Sequence, residues 1–295
     1  MAVELWIDDG NPWYLSPDIW TVPSDDPNDP PGVPYANVSA YVWARVHNRG
    51  TSPVTNASVR FYWSNPASAI NDTTAVLIGL SNVSLAAGET KPVLCVTPWI
   101  PQWVNNGHEC LIAEAFAPTD PLPPRSPSTP YNVPAWRQMA QKNLTIGYAM
   151  QKMGFYVHPF LAGNFGQREK VELRARRAPL DLLRPLLPGL GLKTLPHEAE
   201  GVERFGVQPY RCGDPLLERQ RPEMTLTLPP RHQQGVALVV RLPETFPPEG
   251  GALFLVEQIE DDQVIGGVGV LILAETAQKA PSTTDSPVQT RSRKV

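Results

Sequence analysis

Alternation of apolar and polar positions is the clearest signal along this chain. Across residues 37–47, Val38, Ala40, Val42, Ala44 and Val46 fall on one face. Ser39, Tyr41, Trp43, Arg45 and His47 fall on the other. Successive side chains of a strand point to opposite faces, so the run predicts a strand with a small-aliphatic core face. It stops at Asn48-Arg49-Gly50, where glycine supplies the positive φ that tight turns often require. A second strand is predicted over 57–63, with Val59, Phe61 and Trp63 on one face. Further strands are predicted over 75–80, 91–97, 109–116 and 138–146, with 85–89 as a turn between two of them. Turn signals recurring at about 8–12 residues point to a sandwich, because an antiparallel sheet must bury one face.

A second module is predicted over 149–274, joined to the first (1–148) by a hinge at Gly147-Tyr148-Ala149. Its strands are expected at 154–158, 170–175, 203–207, 224–228, 235–242, 252–259 and 264–273. The run 236–242 is apolar almost throughout, as in a central strand covered on both sides. Gly266, Gly267 and Gly269 imply a bulge or a close backbone approach. Between strands, 180–195 is too broken by Pro and Gly for a long helix and too apolar for an ordinary loop. One helical turn followed by an irregular cover fits it, either capping the sandwich or forming an exposed contact patch. From Glu275 onward nothing is available to bury, and the tail 275–295 is expected to be disordered. The expected class is all-β: two tandem Ig-like β-sandwich domains and a C-terminal tail.

Composition supports that class. Proline accounts for 34 of 295 residues, roughly twice the norm of about 5%. It cannot donate to a sheet ladder and breaks helices, so it collects in turns, edges and linkers. A net charge of −4 supplies no broad positive field, which argues against nucleic acid as a partner. Cys95, Cys110 and Cys212 do not form a disulfide framework. Cys95 and Cys110 either pair across neighbouring strands or serve as small buried hydrophobes. The N-terminus lacks the basic and apolar regions of a Sec signal peptide. No stretch approaches the roughly 20 apolar residues of a membrane-spanning helix.

The candidate chemistry lies mainly on the polar face of the first strand. Tyr41, Trp43 and Arg45, joined by Arg60 and Tyr62 from the next strand, would make a protein-contact hot spot or a carbohydrate-stacking platform. The alternative is that a second domain, or an N-terminal segment carrying Trp6, Trp13 and Trp20, covers that face. Asp25, Asp26 and Asp29, with Asp18, offer oxygen ligands to Ca²⁺. They lack the order of an EF-hand loop, and the prolines around them favour a solvated turn; no other cofactor is expected. His47, His108, His158, His197 and His232 show no i, i+4 pair and no HExxH, the spacing that sets two imidazoles on one metal. His108 and Cys110 would share a strand face about 6–7 Å apart, without an orienting third group. Gly189–Thr194 lacks the spacing of a phosphate loop, and no Gly-x-Ser-x-Gly elbow occurs. Asn-x-Ser/Thr triplets at Asn37, Asn56, Asn71, Asn82 and Asn143 read as turn chemistry.

Four segments taken together resemble a known family. They are Ser16-Pro17-Asp18-Ile19-Trp20, the run Val42–Thr51, Phe61-Tyr62-Trp63, and Gly107 through Ala113; a Leu-x-x-Gly connector is matched by Leu85–Gly88. The pattern is similar to the CARDB-type module, a cell-adhesion-related Ig-like domain, over about residues 15–148. That resemblance implies an Ig-like sandwich used as a spacer or ligand-contact unit at the cell surface or outside the cell, and brings no catalytic residues. The expectation is therefore a non-catalytic adhesion, binding or structural module facing another protein or a cell-envelope polymer. A subunit of a larger extracellular or phage-tail-like assembly, homo- or hetero-oligomeric, is the alternative. An enzyme with its site in the 180–221 insert is a third.

Overall fold

A computed structural model describes residues 2–65, 70–102, 110–149, 154–164, 170–211, 213, 215–216 and 220–274. The expected tail 275–295, Cys212 and the His108-Glu109 part of the His-Glu-Cys run lie outside the described residues. The fold is all-β, two sandwiches in tandem.

Eight strands build the first sandwich: β1 (Leu5–Trp6), β2 (Ile19–Val22), β3 (Tyr41–Asn48), β4 (Val54–Ser64), β5 (Val76–Leu85), β6 (Thr90–Leu94), β7 (Cys110–Phe116) and β8 (Met139–Lys142). β1 and β2 flank one edge of β3 and β6 the other, all antiparallel. The facing sheet runs β5-β4-β7-β8. The predicted alternation holds: Ala40, Val42, Ala44 and Val46 pack against Val59, Phe61, Ala113 and Ala115. Val38 departs from it and is exposed. Asn37 takes a left-handed φ of 62° and β3 begins only at Tyr41, so the sequence pattern outruns the strand. Asn48 explains the turn motif. Its amide nitrogen donates to the carbonyls of Ser52 and Ala86, and its Oδ1 accepts from the Gly50 N–H, tying two turns to one buried side chain.

The outer side of the β5-β4-β7-β8 sheet is covered rather than solvated. Cys110, Ile112 and Met139 lie under Ile70, Tyr131 and Val133. Cys95 sits in the core between the sheets and Cys110 on this outer side, so the two do not pair; both are free thiols. Burial pushes both thiols up from their ordinary pKa, as expected of inert hydrophobic cysteines.

The second sandwich contains β9 (Leu144–Ala149), β10 (Phe155–Gly163), β11 (Lys170–Ala178), β12 (His197–Glu198), β13 (Phe205–Pro209), β14 (Glu223–Thr227), β15 (Gln233–Arg241), β16 (Gly250–Glu260) and β17 (Gln263–Ala274). One sheet runs β14-β11-β16-β17-β9 with β12 alongside β16; the other runs β10-β15-β13. β16 is buried on both faces. Ala252, Phe254 and Val256 meet Val236, Leu238 and Val240 of β15, while Leu253 and Leu255 face the opposite way. Over that second face lies the 180–195 insert, a 3-10 stretch Leu180–Leu186 running into the short helix α1 (Leu187–Leu190). Leu180, Leu183, Leu186 and Leu190 are buried there, so the insert is a cap and not a contact patch.

The junction differs from expectation. The single strand predicted over 138–146 is two strands, β8 and β9. The stretch 147–149 expected as a hinge is the end of β9, which pairs in parallel with β17 of the second sandwich. The chain crosses at Asn143, which is fully buried. Its N–H donates to the Tyr14 carbonyl (2.8 Å), its side-chain amide to the Gly267 carbonyl (2.6 Å), and its own carbonyl accepts from the Gly269 N–H (2.8 Å). Gly267 is needed here, because a Cβ would stand 2.5 Å from the Tyr14 ring. Tyr14 in turn donates to Glu257, which also pairs with Arg176.

Candidate binding face

The residues singled out from sequence separate onto two faces. Val42, Ala44 and Val46 point into the core, so Tyr41, Trp43 and Arg45 point outward from the β3 sheet. Trp20 of β2 lies opposite Trp43 in register, and Leu94 and Pro92 of β6 lie opposite Trp43 and Arg45 on the other side. Trp20 and Trp43 stack with ring centroids 6.0 Å apart and planes 5° from parallel. The Arg45 guanidinium sits 5.4 Å from the centre of the Trp20 ring. Such a stack fixes two large apolar surfaces and a cation in one geometry.

Asp18 holds this arrangement in place. Its carboxylate is almost fully buried and accepts from Arg45 Nη1 (2.7 Å) and from the Asp8 N–H (2.8 Å). His47 Nε2 lies 2.7 Å from its second oxygen, and His47 Nδ1 is bonded to Thr90. Burial alone would raise this carboxyl, but the hydrogen bond from His47 and that from the Asp8 N–H outweigh it. With the neighbouring charge of His47 and the bond from Arg45, they hold it below the ordinary carboxylate value. Arg45 keeps 44% of its side chain exposed, so the cation is oriented yet accessible. Neither Trp6 nor Trp20 lies over the stripe; both extend it as neighbours in the same sheet. Trp13 turns away and packs edge-on against Tyr14.

Arg60 and Tyr62 do not join this face. β4 belongs to the opposite sheet, and both residues point out of its far side, where they bind Glu114 at 3.2 and 2.8 Å. Glu114 is fully buried and also meets Arg125 at 2.9 Å. Arg125 forks onto Asp72, which accepts from Tyr131 as well. The network fastens the 118–136 segment over the sheet, so Arg60 and Tyr62 serve the fold.

The structure does not assemble the four aspartates considered for calcium. Asp18 is committed as above, whereas Asp25, Asp26 and Asp29 are exposed. Ser24 bonds Asp29, and Asp26 accepts from Asn28, closing a local turn. Among the described residues no group of three His, Cys, Asp or Glu is placed to hold a metal ion. Sequence reasoning missed Asp18 and His47 as the support of the face, and it read Trp20 as a possible cover. His47 was visible as the next polar position after Arg45. Asp18 carried no comparable signal, because its role depends on which strand lies beside β3.

No family model matches the chain, and no curated protein matches it. Among solved structures it is similar to the CARDB domain of a Pyrococcus furiosus protein, crystallised with di-metal ions. Identity there is 17%, coverage 48% of this chain and 85% of that one, and the TM-score 0.28. It is also similar to the CupB6 tip adhesin of Pseudomonas aeruginosa (11% identity, 92% and 98% coverage, TM-score 0.23). A third is the collagen adhesin of S. aureus (8% identity, 87% and 92% coverage, TM-score 0.24). Likenesses at these TM-scores carry no argument about function.

Proposed function

We propose that this chain is a non-catalytic binding module that docks onto another protein through the outward face of β2, β3 and β6. The observation that supports this reading is the Trp20–Trp43–Arg45 stack, ordered in advance by a buried carboxylate. Tryptophan and arginine dominate contact hot spots; tryptophan buries a large rigid surface at small conformational cost, whereas arginine gives up rotamer freedom when it is ordered. Asp18 lowers that cost by holding the guanidinium before a partner arrives. The rim of Leu94 and Pro92 extends the apolar area that such a contact would desolvate.

The test is the affinity of a co-purified partner for the wild type and for Trp43→Ala. A hot spot truncated to alanine loses about 2 kcal/mol or more, roughly thirtyfold in affinity. Trp43 points out of the sheet but is largely covered, with its indole nitrogen buried. Its loss should therefore also lower folding stability by roughly 2–4 kcal/mol, and affinity is compared at a temperature where both proteins are folded. Unchanged affinity with a folded variant would refute the reading.

A second reading, a subunit of a larger assembly, is favoured by one feature. β5 ends its sheet and presents Val76, Leu77 and Leu80 exposed, and an open apolar edge strand is a template for pairing with another chain. Sedimentation of Leu77→Lys against wild type separates the two: a self-assembling subunit dissociates, and a monomeric binder is unmoved.

A further inference from the structure

Between the two sandwiches lies a cavity of about 460 Å³, within the range of roughly 300–1,000 Å³ typical of small-molecule sites. Trp99, Leu111 and Lys142 line it from the first sandwich, and Ile146, Tyr156 and Leu190 from the second. The wall is mostly apolar, and two of its polar groups stand without partners among the described residues. Lys142, the last residue of β8, is 8% exposed, yet its ammonium makes no ion pair or hydrogen bond among the described residues. The nitrogen lies 3.6 Å from where a Cβ on Gly189 would stand, and Gly189 also borders the cavity. The Trp99 indole N–H is likewise buried and unpartnered.

A buried ammonium without a counter-charge is costly, and folded proteins keep few of them. Here burial lowers the Lys142 pKa to about 8. Among the described residues no carboxylate lines the cavity, and the other titratable groups on its wall are the phenols of Tyr35, Tyr148 and Tyr156. Burial raises Tyr156 to about 12 and Tyr148 also upward, so both phenols are neutral at physiological pH. The cavity is partly open, with Tyr35 and Tyr148 exposed on its wall, and it carries one positive charge on a mostly apolar lining with phenol O–H groups beside it.

The geometry points to a ligand site between the sandwiches for an amphiphile with one carboxylate. The carboxylate would pair with Lys142, and the apolar body would fill the space among Trp99, Leu111, Ile146 and Leu190. Thr21 of β2 borders this cavity, but its lining includes none of Trp20, Trp43 and Arg45, so the two sites are tested independently. It also gives the tight junction at Asn143 a use, since each sandwich supplies half of the wall.

Calorimetric titration with decanoate and with decanol, on the full chain, tests the site. Decanoate should bind one per chain and at least tenfold more tightly than decanol, which has the same body without the charge. Lys142→Met should abolish that preference, and Val157→Phe, narrowing the cavity, should weaken both ligands. In wild type at pH 9, where the free amine is mostly neutral, binding should take up close to one proton; at pH 6 it should take up almost none. This proton count needs no variant and so survives a failure of Lys142→Met to fold. Equal affinity for the two ligands, an unchanged Lys142→Met, no proton uptake at pH 9, or no binding of decanoate would each overturn the proposal.

Discussion

A buried charge reports its surroundings through the balance of desolvation and partners, and two residues here resolve that balance in opposite ways. Asp18 is buried with three donors on its oxygens and is held ionised. Lys142 is buried with none, and its charged form is penalised. The sign of the second effect follows directly. Below pH 8 both folded and unfolded chains carry the proton, and the folded state bears the full penalty. Between about 8 and the ordinary 10.5 the folded state releases its proton first, so stability rises with pH; above 10.5 the penalty is gone. Lys142→Met keeps a side chain of similar length without the charge. It should raise unfolding stability at pH 7 by roughly 2–3 kcal/mol, with the gap closing toward pH 11. Urea unfolding at both pH values checks this, and a destabilised Lys142→Met at pH 7 would mean that the ammonium has a partner.

At the scale of elements, the same contrast separates strands that could be read from sequence from those that could not. The β3 alternation, the Asn48-x-Gly50 turn and the apolar runs that become β16 and β17 are local patterns, and each was legible. Which sheet a strand joins is not local. β4 follows β3 directly, yet crosses to the facing sheet, so Arg60 and Tyr62 end on the far side from Trp43. Once there, Arg60, Tyr62 and Arg125 converge on Glu114, and the 118–136 segment is held over the sheet by that carboxylate. Removing one member of a buried ionic network leaves its partners uncompensated, at a cost of about 3–5 kcal/mol. Glu114→Gln should fall at or somewhat below that range, because Arg60 is partly exposed and Asp72 still pairs with Arg125. Thermal unfolding together with proteolysis within 118–136 would show it. A variant as stable and as resistant as wild type would mean that the network contributes nothing to holding the segment.

For the whole molecule, two sandwiches were legible and their junction was not. The apolar run Leu144-Thr145-Ile146 reads equally well as the end of one module or the start of the next. It is the parallel pairing with β17, more than a hundred residues downstream, that decides. The candidate face was legible in part for the same reason. Tyr41, Trp43 and Arg45 follow from period-2 alternation, whereas Trp20 and Asp18 reach them only through sheet neighbours. Photo-crosslinking tests the proposed docking face most directly. A photoreactive phenylalanine replaces Pro92, beside Arg45, or Asn82, on the outer side of the opposite sheet, and adducts with the co-purified partner are compared. The account predicts an adduct from position 92 that is lost when Trp43→Ala is added, and none from position 82. An adduct from position 82 alone would contradict it.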